Sequence, residues 1–587
     1  MIIPLLTILA IVTFVLHYKT REQPLHPDSG FFIHVPFFMN NGYKLSPWRA
    51  DSLAPLRYSG DYHVLCPKFL LRAFVNIILI LKGSIKSFRI FYAHYNLLTG
   101  FAVYALACLL GSPLIGIIAA SFYWIMSLSP FLDTFQLHAE QYALLPLLLA
   151  VTAILLSAHG DLSQNFFFNR IFFLLISGFL IGLVTICLKM SYVLETFAIL
   201  GISLCWGLNA WDLLFVFLGV ASIIIITNCY YYIKTRSFHN FFNYYKPKNV
   251  ISYKKSMPAE RNIFKFDAKA YFVIFSCFLC GIYYFVVGIT FSVINHNTSI
   301  IFMSVLPFVS LAGIWYQNKF YMSHFYSLLP FASIVAAYGF RQMLGFSGLG
   351  FVIFAGISIL LLLPALLQIF RYYIKYDALT FHIKTSQVIK QKYTLNFIAE
   401  EGIAEYVKQN TAKNDYVLQW GYNHEFYVLA QRMAALSGKL ACALMTDPLL
   451  NDATIPSWRK HVLSDIKKFA PEFIIDFYGS LNIKKVNEVS GMLYKLDKYF
   501  YGIYPLYRLV DTHCSRKKTA TEEMLKSLTE NNTKRTINSK IFNCNDDFIQ
   551  FVNRLVMKGS IKKADIYTND GVTQMFDDWR SINNEKR

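Results

Sequence analysis

From Met1 to about Phe370 the chain alternates long apolar runs with short polar breaks. A helix that crosses a bilayer needs roughly 20 mostly apolar residues, because each rises about 1.5 Å and the hydrocarbon core is about 30 Å thick. About eleven stretches meet that rule, at 1–18, 90–110, 113–129, 141–158, 166–187, 190–207, 211–232, 270–293, 299–315, 322–340 and 348–370. The stretch 68–81 is apolar but shorter, with Lys68, Arg72 and Lys82 on or beside it, which suits a helix lying in the interface. The first run lacks a positive n-region and a small-residue cleavage site, and further spans follow it, so it reads as a retained helix and not as a signal peptide. The pattern predicts a polytopic α-helical membrane part over residues 1–375, interrupted by two long polar loops, 19–87 and 233–269.

Beyond that part the period changes. IAEEGIAEYVKQN has a helical spacing and leads into strand-like DYVLQW, and SWRKHVLSDIKKFA leads into PEFIIDFY. Helix-to-strand alternation of this kind predicts a small soluble α/β domain over 376–512. From His513 to Arg587 the chain is polar, with SRKKTATEE, ENNTKRTINSK and a terminal NNEKR, and reads as a tail with one helical stretch near 546–558. No internal repeat is evident, which counts against transporters built on duplicated halves.

Composition agrees with the pattern: 55% of the 587 residues are hydrophobic and 15% charged, against about a quarter charged in soluble domains. The formal net charge of +20 does not point to nucleic acid. The Lys and Arg gather in loops beside membrane segments and in the C-terminal third, so a membrane surface or a phosphate-bearing lipid is the expected partner. Of the ten cysteines, Cys277 and Cys280 form a CxxC spacing inside an apolar run with no second pair, which reads as buried small hydrophobes. No cofactor motif is present, and a divalent metal stays open.

The span count puts loops 19–87, 130–140, 187–190, 233–269 and 316–321 and the C-terminal domain on one face. Several polar groups on that face are candidates for chemistry. Asp28 stands in HPDSGFFIHVPFFMNNGYKLSP at the membrane edge, where partial desolvation would raise its basicity; Asp-Ser before an apolar run is also a helix cap. Glu140, with His138 and Gln141 beside it, opens the fourth span in LDTFQLHAEQYALLPLLLA. It is either an intramembrane functional group or a carboxylate favoured by the helix macrodipole. Lys189, between two apolar spans in TICLKMSYVLE, either snorkels to water or holds a phosphate. Loop 233–269 interleaves Lys with aromatics, as segments at lipid headgroups do. His324 opens the tenth span in NKFYMSHFYSLLPFASIVAAYGF; a lone His on an aromatic helix is more often structural.

Taken in order, these segments resemble the GT-C glycosyltransferases, in the branch of the protein O-mannosyltransferases and aminoarabinose transferases. PDSGFFIHVPFFMNNGYKLSP is similar to that family's first-loop signature, an Asp after the first span, then a helix, then a Gly-Tyr turn. HAEQYALLPLLLA resembles its second acidic element, with Glu140 in the acidic place, and FYMSHFYSLLP its late His-Tyr-Tyr…Pro segment. In the α/β part, IAEYVKQNTAKNDYVLQWGYNHEFYVLAQR is similar to a family run that places Trp420, Tyr427 and Arg432 at matching positions. The family's Lys-Pro-Pro element is missing. WRADSLAPLRYSGDYHVLCPKFL stands in that region, so Arg49, Arg57 and Lys68 all compete to grip a donor phosphate.

The resemblance implies a membrane glycosyltransferase that moves a sugar from a polyprenyl-phosphate donor to the hydroxyl of a glycan, lipid or protein acceptor, with inversion. It implies Asp28 as base and Glu140 as the group that orients the acceptor or shares its proton. Lys68, Lys189, Arg49 or Arg57 would neutralise the phosphate, and His138 and His324 would line the substrate site. It also implies a bacterial inner membrane, with the loops and the α/β domain in the periplasm or outside. The rival from another class is a lipid or polysaccharide transporter, whose charged residues would line a path through the bilayer midplane. Here they collect at one face.

Overall fold

The structure is a computed structural model that describes residues 2–19, 85–129, 132, 139–159, 166–188, 192–235, 268–317, 322–375, 397–421, 423, 425–435, 465–477, 481–500 and 504–511. Among these residues, helices fall on all eleven apolar stretches. They are α1 (Ile2–Lys19), α2 (Ile85–Leu110), α3 (Pro113–Ser127), α4 (Ala139–His159), α5 (Phe166–Gly182), α6 (Val193–Cys205), α7 (Ala210–Thr235), α8 (Ala268–Ile294), α9 (Thr298–Gln317), α10 (Leu329–Met343) and α11 (Gly348–Ile369). Five segments are both long and apolar enough to cross a bilayer: Phe88–Leu110, Glu140–Ala158, Asn169–Ile186, Thr298–Trp315 and Gly348–Lys375. The other apolar helices are shorter within the described residues. The interfacial stretch 68–81 and the tail from 513 lie outside them, as does most of the two long loops.

Helix ends follow local chemistry. Ser112 caps α3, its hydroxyl accepting from the Ile115 amide at 3.3 Å, and Pro113 supplies a first position that needs no donor. At the start of α7, the Asn209 amide donates to Asp212 Oδ2 at 2.8 Å while the Asp212 amide donates to Asn209 Oδ1 at 3.0 Å, a reciprocal box. The same Asp212 oxygen takes the Arg170 guanidinium of α5 at 2.5 Å. Arg170, one of the few charges on its face of the bundle, is thereby committed to holding α5 and α7 together.

Packing between helices is close where side chains are small. α5 lies along α7, and α8 along α10. Gly178 of α5 and Gly219 of α7 face each other: a methyl on Gly178 would overlap the Val216 carbonyl, and one on Gly219 the Leu175 carbonyl. Lipid-like surroundings give no hydrophobic drive between helices, so such backbone approach is what binds them. The bundle core runs from Val103 and Leu106 through Leu144, Leu147 and Val151 to Ile334 and Val335, all fully buried. α11 instead exposes Leu360, Leu363 and Leu367, with 11% of its apolar window buried among the described residues, an apolar surface of the kind that membrane or protein contacts cover.

The C-terminal part holds a five-stranded sheet in the order β2-β1-β3-β5-β4. Its strands are β1 (Tyr416–Trp420), β2 (Met433–Ala434), β3 (Phe473–Asp476), β4 (Leu493–Phe500) and β5 (Tyr504–Asp511). β1 pairs in parallel with β2 and β3, and β5 pairs antiparallel with β3 and β4. Among the described residues, helices that accompany the sheet include α12 (Phe397–Gln409), α13 (Glu425–Ala430) and α14 (Ile483–Ser490). Arg432 ties the end of α12 to that of α13: its guanidinium donates to Thr411 Oγ1 at 2.7 Å and to the carbonyls of Lys408, Thr411 and Gln431 at 2.7, 2.6 and 3.0 Å. It satisfies carbonyls that the end of α12 leaves open. Tyr427 likewise accepts the Gln419 amide at 3.2 Å through its hydroxyl, so both residues are structural.

Candidate active site

Glu140 sits in the first turn of α4, where the helix N-terminus favours a negative charge. His324 comes from a 3-10 turn, Met322–Leu328, that feeds α10. The structure brings the two together: His324 Nε2 lies 3.1 Å from Glu140 Oε1, and both residues are buried. Residues 184 positions apart in the chain, 324 minus 140, thus meet at one helix entrance.

Tyrosines fix the carboxylate's backbone. The Tyr192 hydroxyl, just before α6, donates to the Glu140 carbonyl at 3.0 Å, and the Tyr95 hydroxyl of α2 donates to the Tyr142 carbonyl at 2.5 Å. These carbonyls lie in the first turn and can take a second donor beside the helical one. Phe88, Tyr92 and Tyr142 make a small buried cluster beside the pair, and Val428 of α13 packs on it, which brings the sheet-bearing part against the site. Arg89 is buried in the same stretch of α2, within electrostatic reach of Tyr92.

A further buried carboxylate, Glu195, occupies the first turn of α6 opposite Ser310 of α9. Tyr192 lies within electrostatic reach of both Glu195 and Glu140. Arg89, Tyr192, Glu195 and Tyr326 were not singled out from sequence. Glu195 and Arg89 each carried a visible signal, a charge in the opening turns of an apolar run. Asp28, Arg49, Arg57, Lys68, His138 and Lys189 lie outside the described residues.

The chain is similar in fold to the structure of ArnT from Cupriavidus metallidurans bound to undecaprenyl phosphate. The TM-score is 0.53 at 13% identity, over 88% of this chain and 99% of that one. The apo state of the same protein gives the same figures. The chain has the GT-C fold. The archaeal oligosaccharyltransferase AglB from Archaeoglobus fulgidus, in complex with an inhibitory peptide and a dolichol-phosphate, matches with a TM-score of 0.47 at 10% identity, over 82% of this chain and 70% of that one. No protein-family model and no curated protein matches the sequence.

Among the described residues, no group of three or more His, Cys, Asp or Glu side chains is arranged to hold a metal ion. Glu140 and His324, 3.1 Å apart, are chemically suited to exchange a proton.

Proposed function

We propose that the protein is a membrane glycosyltransferase that takes a sugar from a polyprenyl-phosphate donor and passes it to an acceptor hydroxyl. The observation that carries this reading is the buried Glu140–His324 pair at a helix entrance, set in a GT-C fold matched over 88% of the chain. The ArnT structure holds undecaprenyl phosphate, and a lipid of that chemistry suits a site at the membrane edge: the tail stays in hydrocarbon and the phosphate meets the basic loops.

In this reading all eleven helices span, residues 1–375 form the transferase body, 376–512 a soluble α/β domain and 513–587 a tail. The loops and the α/β domain face the periplasm or exterior. Asp28 takes the proton of the acceptor hydroxyl as its oxygen attacks the anomeric carbon. The bond from that carbon to the phosphate oxygen breaks, the electron pair leaves with polyprenyl phosphate, and one displacement inverts the centre. Lys68, Lys189, Arg49 or Arg57 stabilises the growing phosphate charge. Glu140 and His324 orient the acceptor and share its proton, with His138 beside them.

The test is transfer by the purified protein in lipid nanodiscs, followed as release of undecaprenyl phosphate from its sugar-loaded form. Asp28→Asn keeps the shape and removes the base, so turnover should fall by about 10² or more with the folded yield unchanged. Near-normal turnover in the Asn variant would remove Asp28 from the role. No release by the unaltered protein from any polyprenyl-phosphate sugar would remove the function.

A further inference from the structure

His324 reaches Glu140 from a seven-residue 3-10 turn. Such turns have poorer backbone hydrogen bonds than an α-helix, so the ring's place depends on side chains that anchor the turn. Tyr326, two residues on and fully buried, is one: its hydroxyl donates to Asn96 Oδ1 at 2.7 Å.

Asn96, buried in the middle of α2, is a node. Its Oδ1 also accepts from the Tyr123 hydroxyl of α3 at 2.9 Å. Its Nδ2 donates to Ser127 Oγ of α3 at 3.0 Å and to His17 Nε2 of α1 at 2.8 Å. A carboxamide offers two donor hydrogens and two acceptor positions, and here all four are used. Four elements therefore meet at one side chain: α1, α2, α3 and the turn that carries His324. Tyr92 extends the node, with its hydroxyl 3.2 Å from that of Tyr326, and Tyr123 closes it at 3.3 Å.

The saturation matters because of where it lies. A buried polar group without partners costs about 1–3 kcal/mol, and helix packing alone would favour an apolar residue at position 96. A set of directed bonds, unlike apolar contact, fixes an orientation. What it orients is the turn with His324 on one side and the last turn of α1, which holds His17 and leads into the segment bearing Asp28, on the other.

We propose that Asn96 and Tyr326 are positioning residues that hold the His324 ring against Glu140 and lock the end of α1 in the same frame. The role of that frame in transfer rests on the glycosyltransferase reading above; the positioning itself does not, and the test separates the two.

The test is a double-mutant cycle read by thermal unfolding of the whole protein in detergent, with Tyr326→Phe, Glu140→Gln and their combination. If Tyr326 acts through His324 on Glu140, the two losses in Tm overlap and the double variant falls by less than their sum. Tyr123→Phe removes a bond to the same Asn96 oxygen from a helix that does not carry His324, so its overlap with Glu140→Gln should be smaller than that of Tyr326→Phe. Asn96→Ser deletes the acceptor of Tyr326 and takes the place of Tyr326→Phe should that variant not fold, with the same overlap expected. In turnover, Tyr326→Phe should lower kcat by about tenfold or more, as sub-ångström misplacement does, with KM for the donor unchanged and the pH profile of kcat displaced. Tyr123→Phe should keep the profile. Additive cycles for both tyrosines overturn the positioning role. Overlapping losses in a protein that releases no lipid phosphate uphold it and overturn the transferase reading.

Discussion

Glu400 of α12 and Glu425 of α13 form a pair of carboxyl groups inside the C-terminal part, exposed by 1% and 4%. Burial, and then the neighbouring charge of Glu425, push the Glu400 carboxyl well above the ordinary carboxylate range. Asn423 works against this by donating to Glu400 Oε2 at 3.0 Å. The consequence is a stability that depends on pH with a defined sign. Above the ordinary carboxylate range the unfolded chain has lost this proton while the folded chain keeps it. The folded state then binds more protons, so the free energy of unfolding falls as pH rises. The contribution is whole below the unfolded pKa and is lost progressively as pH climbs through the folded one. One proton of difference gives a limiting slope of about 1.4 kcal/mol per pH unit, or about 2.7 kcal/mol over two units.

Glu400→Gln should flatten the slope, because a carboxamide still accepts from Asn423 and now donates to Glu425 without titrating. The pair lies in the sheet-bearing part, so a reporter local to that part reads it more directly than a Tm of the whole protein. The suitable assay is hydrogen exchange of the β1 and β3 amides in the intact protein, corrected for intrinsic rate, from pH 5 to 8. Opening free energies that stay level or rise with pH, or a Gln variant that keeps the slope, would refute the shared-proton account.

At the glycine contact between α5 and α7, Gly219→Leu must push a branched side chain into the Leu175 carbonyl; overpacking of this kind costs about 1–3 kcal/mol, and an unchanged Tm in detergent would show that the helices can slide apart freely. Lys189→Met should weaken both donor affinity and turnover while Lys189→Arg retains part of each, because charge in hydrocarbon is costly unless paired or snorkelled; an unchanged transfer rate in the Met variant would take Lys189 out of the site.

Most of the helical frame was legible because its signal is redundant. A run such as GLGFVIFAGISILLLLPALLQI in α11 can be read as little else, and an error of a few residues at either end leaves the element intact. The α/β alternation was legible for the same reason, since DYVLQW and PEFIIDFY supply β1 and β3 in the register Val417 to Phe473 and Trp420 to Asp476. The node at Asn96 was not. Asparagine in an apolar helix carries no period, and its four partners come from positions 17, 123, 127 and 326, a meeting that only the packing of three helices and a turn determines. Glu140 and His324 were each visible singly, but their contact was not, since Glu140 alone was equally readable as a helix-start carboxylate and His324 alone more readily as a packed ring.

Among the described residues, three carboxylates open apolar helices: Glu140 in α4, Glu195 in α6 and Asp212 in α7. The helix macrodipole helps all three, so position alone does not separate structural from chemical roles; the partner does. Asp212 is bound by the Arg170 guanidinium, a planar fork suited to a fixed ion pair, and that pair ties α5 to α7. Glu140 is met by an imidazole, the side chain whose charge changes near neutrality. Glu140 opens α4, whereas Arg170 lies in the opening turns of α5, the helix that follows the other end of α4. Replacing His324 with Arg would therefore give Glu140 the same kind of partner that Asp212 has: a firmer tie that has lost the means to move a proton.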